Sequence, residues 1–176
     1  MIKKFFLTVL SLLLIQNFCF AKDTIQFNFP NEGWHKIESP DGIAGKKCYI
    51  PYNQTPENYT EMLTFYERVL KNKDLSPRVM IHKQLGKDRT NYPDIKPEYI
   101  KHTLDEAIVA WCSEAKNTCA VERAFQGTDG VIFAIYINKA PHYSQNIFAQ
   151  WSNILGSIKL YEQKENTPVP DNLIEL

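Results

Sequence analysis

Residues 106–137 read EAIVAWCSEAKNTCAVERAFQGTDGVIFAIYI, and the fold turns on how this stretch is parsed. Three runs rich in β-branched, aromatic and small apolar residues, Glu106 to Cys112, Cys119 to Phe125 and Val131 to Ile137, alternate with polar segments. Lys116-Asn117 and Gly127-Thr128-Asp129-Gly130 have the residue types that accept the backbone angles of tight reversals. The stretch therefore predicts a three-stranded antiparallel meander.

On the C-terminal side, Ile147, Phe148, Trp151, Ile154, Leu155 and Ile158 recur at helical spacing and form one apolar stripe. This predicts a helix laid on the sheet, with Pro141 near its start and Ser144 as its cap. Residues 166–176, with Pro168 and Pro170, read as a flexible C-terminal tail.

On the N-terminal side, Ile25, Phe27 and Phe29 alternate with Thr24, Gln26 and Asn28, the pattern of a half-buried strand. Trp34 to Ile37 and Lys46 to Tyr52 read as further strands, separated by the turn sequence Ser39-Pro40-Asp41-Gly42. Ser76-Pro77 starts a short helix whose buried face would carry Val79, Met80 and Leu85 and which would end at Gly86. Lys87 to Pro97 reads as a loop. Residues 59–70 fit two patterns. Tyr59, Met62, Leu63, Tyr66 and Leu70 sit at helical spacing, while Leu63, Phe65 and Val69 fit one face of a strand. Periodicity alone favours the helix. The fold class expected is α+β, an antiparallel sheet with a C-terminal meander packed against helices.

The first 21 residues differ from the rest. Lys3 and Lys4 precede an apolar run from Phe5 to Ile15, and Cys19 and Ala21 suit a signal-peptidase site with cleavage before Lys22. The run is shorter than the ~20 residues a membrane span needs. A lipoprotein signal acylated at Cys19 is the rival, but Asn17-Phe18 fits it poorly. Residues 22–165 then make a single α+β domain. The whole chain has 20 basic and 20 acidic residues, interspersed throughout. That pattern argues against nucleic acid or an anionic membrane surface as a general partner.

Candidate chemistry is sparse. Cys48, Cys112 and Cys119 remain after the leader, and an oxidising compartment would pair two of them. A hairpin turning at Lys116-Asn117 sets Cys112 opposite Cys119, so this pair is the expected disulfide, with a structural role because the spacing is not Cys-x-x-Cys. Cys48 sits mid-strand, with no following helix N-terminus to activate it, and reads as a passive thiol. His35, His82, His102 and His142 show no ligand spacing, so they read as ordinary imidazoles with no metal site. Gly127 to Gly130 is followed by a strand, not by a helix and lysine, which makes it a turn and no phosphate loop. Asp105, Glu106, Glu114 and Glu122 could supply a carboxylate pair for glycoside hydrolysis, but any sheet protein has such residues by chance. Neither a catalytic residue nor a cofactor is expected.

Two segments carry a resemblance. Residues 49–62, YIPYNQTPENYTEM, resemble the Y-x-P-x-x-Q-T-x-x-N-aromatic-T-E-M stretch of small exported gammaproteobacterial proteins of Legionella type, whose function is unknown. Trp111, Glu122-Arg123, Gly127 to Gly130 and the helix bearing Trp151 and Leu155 are similar to their C-terminal half. The resemblance implies a PsbP-like α/β/α sandwich and a strand over Thr60 to Val69, and we take the strand. It brings no catalytic residues, and the three cysteines are not part of the pattern. It implies release by type II secretion as one route.

The function expected is that of an exported, monomeric, non-enzymatic protein binding an unidentified protein or polymer partner, in the periplasm or after release from the cell. A hydrolase of envelope or host polymers is the first alternative; two carboxylates converging in a deep pocket would favour it. A structural accessory of an envelope complex is the second.

Overall fold

The computed structural model describes residues 23–30, 33–69, 75–139, 145–162 and 170–176. The expected leader, Pro141, Ser144 and the start of the expected tail lie outside the described residues. In chain order the elements are β1 (Thr24–Gln26), β2 (Trp34–Ile37), β3 (Lys47–Pro51), β4 (Glu61–Val69), α1 (Pro77–Asn91) and β5 (Glu98–His102). They continue as β6 (Glu106–Ser113), β7 (Thr118–Gln126), β8 (Gly130–Asn138), α2 (Gln145–Gly156), β9 (Lys159–Leu160) and β10 (Leu173–Glu175).

Seven strands form one sheet in the order β2-β3-β4-β8-β7-β6-β5, and every neighbouring pair is antiparallel. The meander β6-β7-β8 lies within it, in the register that the turn sequences predict. Its first turn places Asn117 at a φ of 48°, the left-handed region that asparagine tolerates. Its second brings Gly130 beside Val69 of β4, where an added Cβ would run into the Arg68 carbonyl.

Strand alternation gives the sheet two loaded faces. Val109, Trp111, Ala120, Ala124, Phe133 and Ile135 pack with Met80, Ile81 and Leu85 of α1. Ile108, Ala110, Val121, Phe125, Ala134 and Tyr136 pack with Trp151, Leu155 and Ile158. The Trp151 ring stacks on Tyr136 with centroids 3.8 Å apart. A second sheet, β10-β1-β9, adds Ile25, Phe27 and Ile174 to this latter core. The buried Arg123 closes the C-terminal end of α2: Nη1 donates to the carbonyls of Leu155 (2.6 Å) and Ile158 (2.9 Å). Its Nε pairs with Glu106 Oε1 at 2.9 Å. The fold is thus mixed α+β, with a predominantly antiparallel sheet covered on both faces.

Four sequence expectations need correction or resolution. Residues 61–69 form a strand, pairing along their whole length with β8; the helical periodicity is overridden by burial of Met62 to Phe65 on both faces of the sheet. The first helix does not stop at Gly86 but runs to Asn91, because that glycine keeps helical geometry and Pro93 supplies the stop instead. Its Val79 is exposed. The segment before the meander contains an edge strand, β5, whose largely exposed side chains give no hydrophobic alternation to read. Within the expected tail, Leu173 to Glu175 pair with β1 and bury Ile174 and Leu176.

Candidate functional site

The inner face of α1 changes character along its length. Met80, Ile81 and Leu85 are apolar, but Gln84 and Asp88, one turn apart on the same face, are polar and half-buried. Beneath them β7 carries Glu122 between Ala120 and Ala124, two small residues that leave room around a carboxyl. Glu122 is fully buried.

Burying an acid is costly unless its oxygens find donors. Trp111, on the neighbouring strand β6, donates its indole Nε1–H to Glu122 Oε1 at 2.5 Å. Gln84 Nε2 donates to Asp88 Oδ1 at 3.0 Å, and the Tyr66 hydroxyl donates to Gln84 Oε1 at 3.2 Å. The other two carboxyl oxygens, Glu122 Oε2 and Asp88 Oδ2, are buried, and among the described residues no N–H or O–H donates to either. The two carboxyls lie near enough to act on each other's proton affinity. Burial first, and then the Asp88 charge, raise Glu122 well above the ordinary carboxyl range. Burial also raises Asp88, offset in part by its bonds to Glu122 and Gln84. Two carboxyls sharing a site cannot both ionise, so the proton belongs to the pair.

This pair borders a pocket of about 490 Å³ between α1, the sheet and the 41–46 loop. Tyr66, Tyr92, Met62 and Ile135 supply apolar wall, and Lys46, Arg68 and Lys87 also line it. Burial also raises the Tyr66 hydroxyl above its ordinary value. A few polar groups converging in a concave, partly apolar recess is the usual make-up of a small-ligand site. A larger recess of about 750 Å³ lies beside the cysteine pair. Of the acids that line it, Asp94 is already satisfied by Ser113 Oγ (2.6 Å) and the Ala115 N–H (3.0 Å), bonds that lower its pKa.

The residues singled out in the sequence divide as follows. Cys112 and Cys119 are direct register partners, their sulfurs at disulfide distance and their Cα atoms 4.1 Å apart. Cys48 is buried with Ile50 and Met62, and its sulfur lies 3.7 Å from Thr64 Oγ1. Among the described residues no histidine hydrogen-bonds it. His35 stacks on Tyr52, whereas His82 and His102 come together; His142 lies outside the described residues. Of the acids considered as a pair, only Glu122 enters the pocket. Glu106 is tied to Arg123 and Lys101. The missing partner is Asp88, which sequence reading assigns to a loop; its one signal was the spacing of Gln84 and Asp88 by one helical turn. No family model matches the chain, and no curated protein matches it. Among the described residues, no helix is long and apolar enough to cross a membrane.

Proposed function

We propose that the chain is an exported binding protein, acting in the periplasm or after release from the cell, whose ligand enters the pocket between α1 and the large sheet. The observation that carries this is the carboxyl pair at the pocket wall. Replacing a buried polar group by apolar side chains of similar size is often neutral or stabilising, so packing alone gives no reason for Glu122 and Asp88. Groups shifted this far by burial and by a neighbouring charge, in a cleft, mark functional sites more often than chance. With one proton held between them, the pair offers both an acceptor and a donor. That suits a small ligand, or one unit of a polymer, bearing amine or hydroxyl groups.

A cysteine pair at bonding distance fits the oxidising compartments beyond the inner membrane, which supports export. The leader sequence supports it too. The layering of helix, antiparallel sheet, then helix with a small second sheet is what a PsbP-like sandwich would have. Type II secretion, which carries folded proteins, remains part of the proposal; finding the protein confined to the periplasm would remove it.

The hydrolase reading is retained on one observation: two carboxyls sharing a proton are also an acid–base device. Thermal-shift measurements with small-molecule extract of the periplasm separate the readings. Binding predicts a raised Tm in the native protein and a much smaller rise in Asp88→Ala. Turnover of peptidoglycan fragments or peptides, abolished in Glu122→Gln, would establish the hydrolase instead.

A further inference from the structure

Strand β5 is an edge strand with a defect at a telling place. Tyr99 pairs with Val109 and Lys101 with Ile108, so the register shifts by one residue around Ile100. In a regular strand Tyr99 and His102, three positions apart, would point to opposite faces. The bulge resets the alternation, and both rings turn toward α1, where they meet His82. The three rings close a triangle: centroids lie 5.4 Å apart for His82–Tyr99, 5.1 Å for His82–His102 and 4.7 Å for Tyr99–His102.

The polar atoms are aligned as well. His82 Nε2 and His102 Nε2 are 3.2 Å apart, and the Tyr99 hydroxyl lies 3.0 Å from His82 Nδ1. Two nitrogens bound to a tetrahedral ion at the usual Zn–N length of about 2.0–2.1 Å would stand about 3.3 Å apart. When His82 Nδ1–H donates to the Tyr99 oxygen, the lone pair on Nε2 is directed at this point, the arrangement that orients metal-binding imidazoles. His102 is half-buried on the edge strand, and its ring proton can move to Nδ1 by exchange with water.

From this geometry we propose that His82 and His102 form a binding site for a divalent transition-metal ion, Zn2+ foremost, with Tyr99 fixing the His82 ring. Imidazole donors suit zinc, copper and nickel, and the near-tetrahedral spacing favours zinc among them. Among the described residues no third His, Cys, Asp or Glu completes a cluster with them. The ion therefore keeps positions for water or for a donor from another molecule. This site is separate from the carboxyl pocket and does not depend on the function proposed for it.

Isothermal titration of untagged protein with ZnCl2 at pH 7.5, followed by imidazole 15N NMR, tests the proposal. The expected result is saturable uptake of one Zn2+ that shifts the Nε2 resonances of His82 and His102. His82→Ala and His102→Ala should each bind at least roughly tenfold more weakly, while His35→Ala binds as the native protein does. His82 is exposed and His102 half-buried at the sheet edge, so circular dichroism should report an unchanged fold. Absence of saturable uptake would reduce the pair to a surface imidazole–imidazole hydrogen bond and overturn the site. Undiminished one-site uptake by the double alanine variant would overturn it equally.

Discussion

Glu67 lies where three acidic side chains approach one another. Burial, then the charge and hydrogen bond of Asp23, then the Asp129 charge push its carboxyl up from 4.5 to about 7. A group that holds its proton more tightly when folded stabilises the fold fully below about 4.5, and that contribution is lost as pH rises through about 7. The Tm should therefore fall between about pH 5 and pH 8, and Glu67→Gln should flatten the fall. An unchanged slope in that variant would assign the pH dependence to other groups. The Glu122–Asp88 pair works in the same direction, since both carboxyls are raised by burial. The cysteines make a covalent prediction. A non-reducing tryptic map should link the peptide of Cys112 to that of Cys119 and leave Cys48 unpaired. Replacing both with alanine should cost about 2–3 kcal/mol, because the closed loop is short. A link to Cys48 would contradict the strand order. That opposition could be read in advance because turn and strands are contiguous. Glu122 could be named only as one acid among several, since its partner comes from a distant element and spacing carries no trace of it.

The elements divide by how their burial is written in the chain. The helix α2 buries one clear stripe, so helical periodicity exposes it directly; the meander strands are buried on both faces and are legible from their β-branched and aromatic runs and the turn residues between them. The strand β4 is buried on both faces, which erases the alternation and leaves a pattern that fits a helix. The strand β5 is exposed, and β10 is three residues long in a proline-containing segment. Neither announces itself, because edge pairing and backbone hydrogen bonds need no hydrophobic pattern. For β10 this has a measurable consequence. Deleting residues 173–176 removes Ile174 and Leu176 from the core, each worth about 1.5–3 kcal/mol when fully buried. Thermal denaturation should show a Tm lower by several degrees. A free tail would be lost without effect, which would contradict the β1–β10 pairing. Arg123 tests the other end of α2. Arg123→Ala leaves two buried carbonyls without their donor and Glu106 with Lys101 alone, and should cost about 3–5 kcal/mol in chemical denaturation. A cost below about 1 kcal/mol would mean that water replaces the guanidinium there.

At the scale of the whole molecule, two helices and a small sheet cover the large sheet. The apolar half of α1 seals one end of its face, and the polar half stands over Glu122. The pocket exists because the helix that covers the sheet is apolar for only half its length. The proposal of export predicts that a leader is removed: mass spectrometry of the mature protein should find Lys22 at its N-terminus, and an acylated Cys19 would contradict it. The central claim is that the carboxyl-walled pocket is where this protein meets its ligand. Methyl-labelled NMR tests it most directly, with small-molecule extract from the compartment where the protein accumulates added to native protein and to Glu122→Gln. The account predicts that the methyl resonances of Met62, Ile135 and Ile137, which line the pocket, shift on addition. Ile95, beside the cysteine pair, should stay still, and the glutamine variant should lose the response. Shifts centred on Ile95, or a response unaltered by Glu122→Gln, would contradict it.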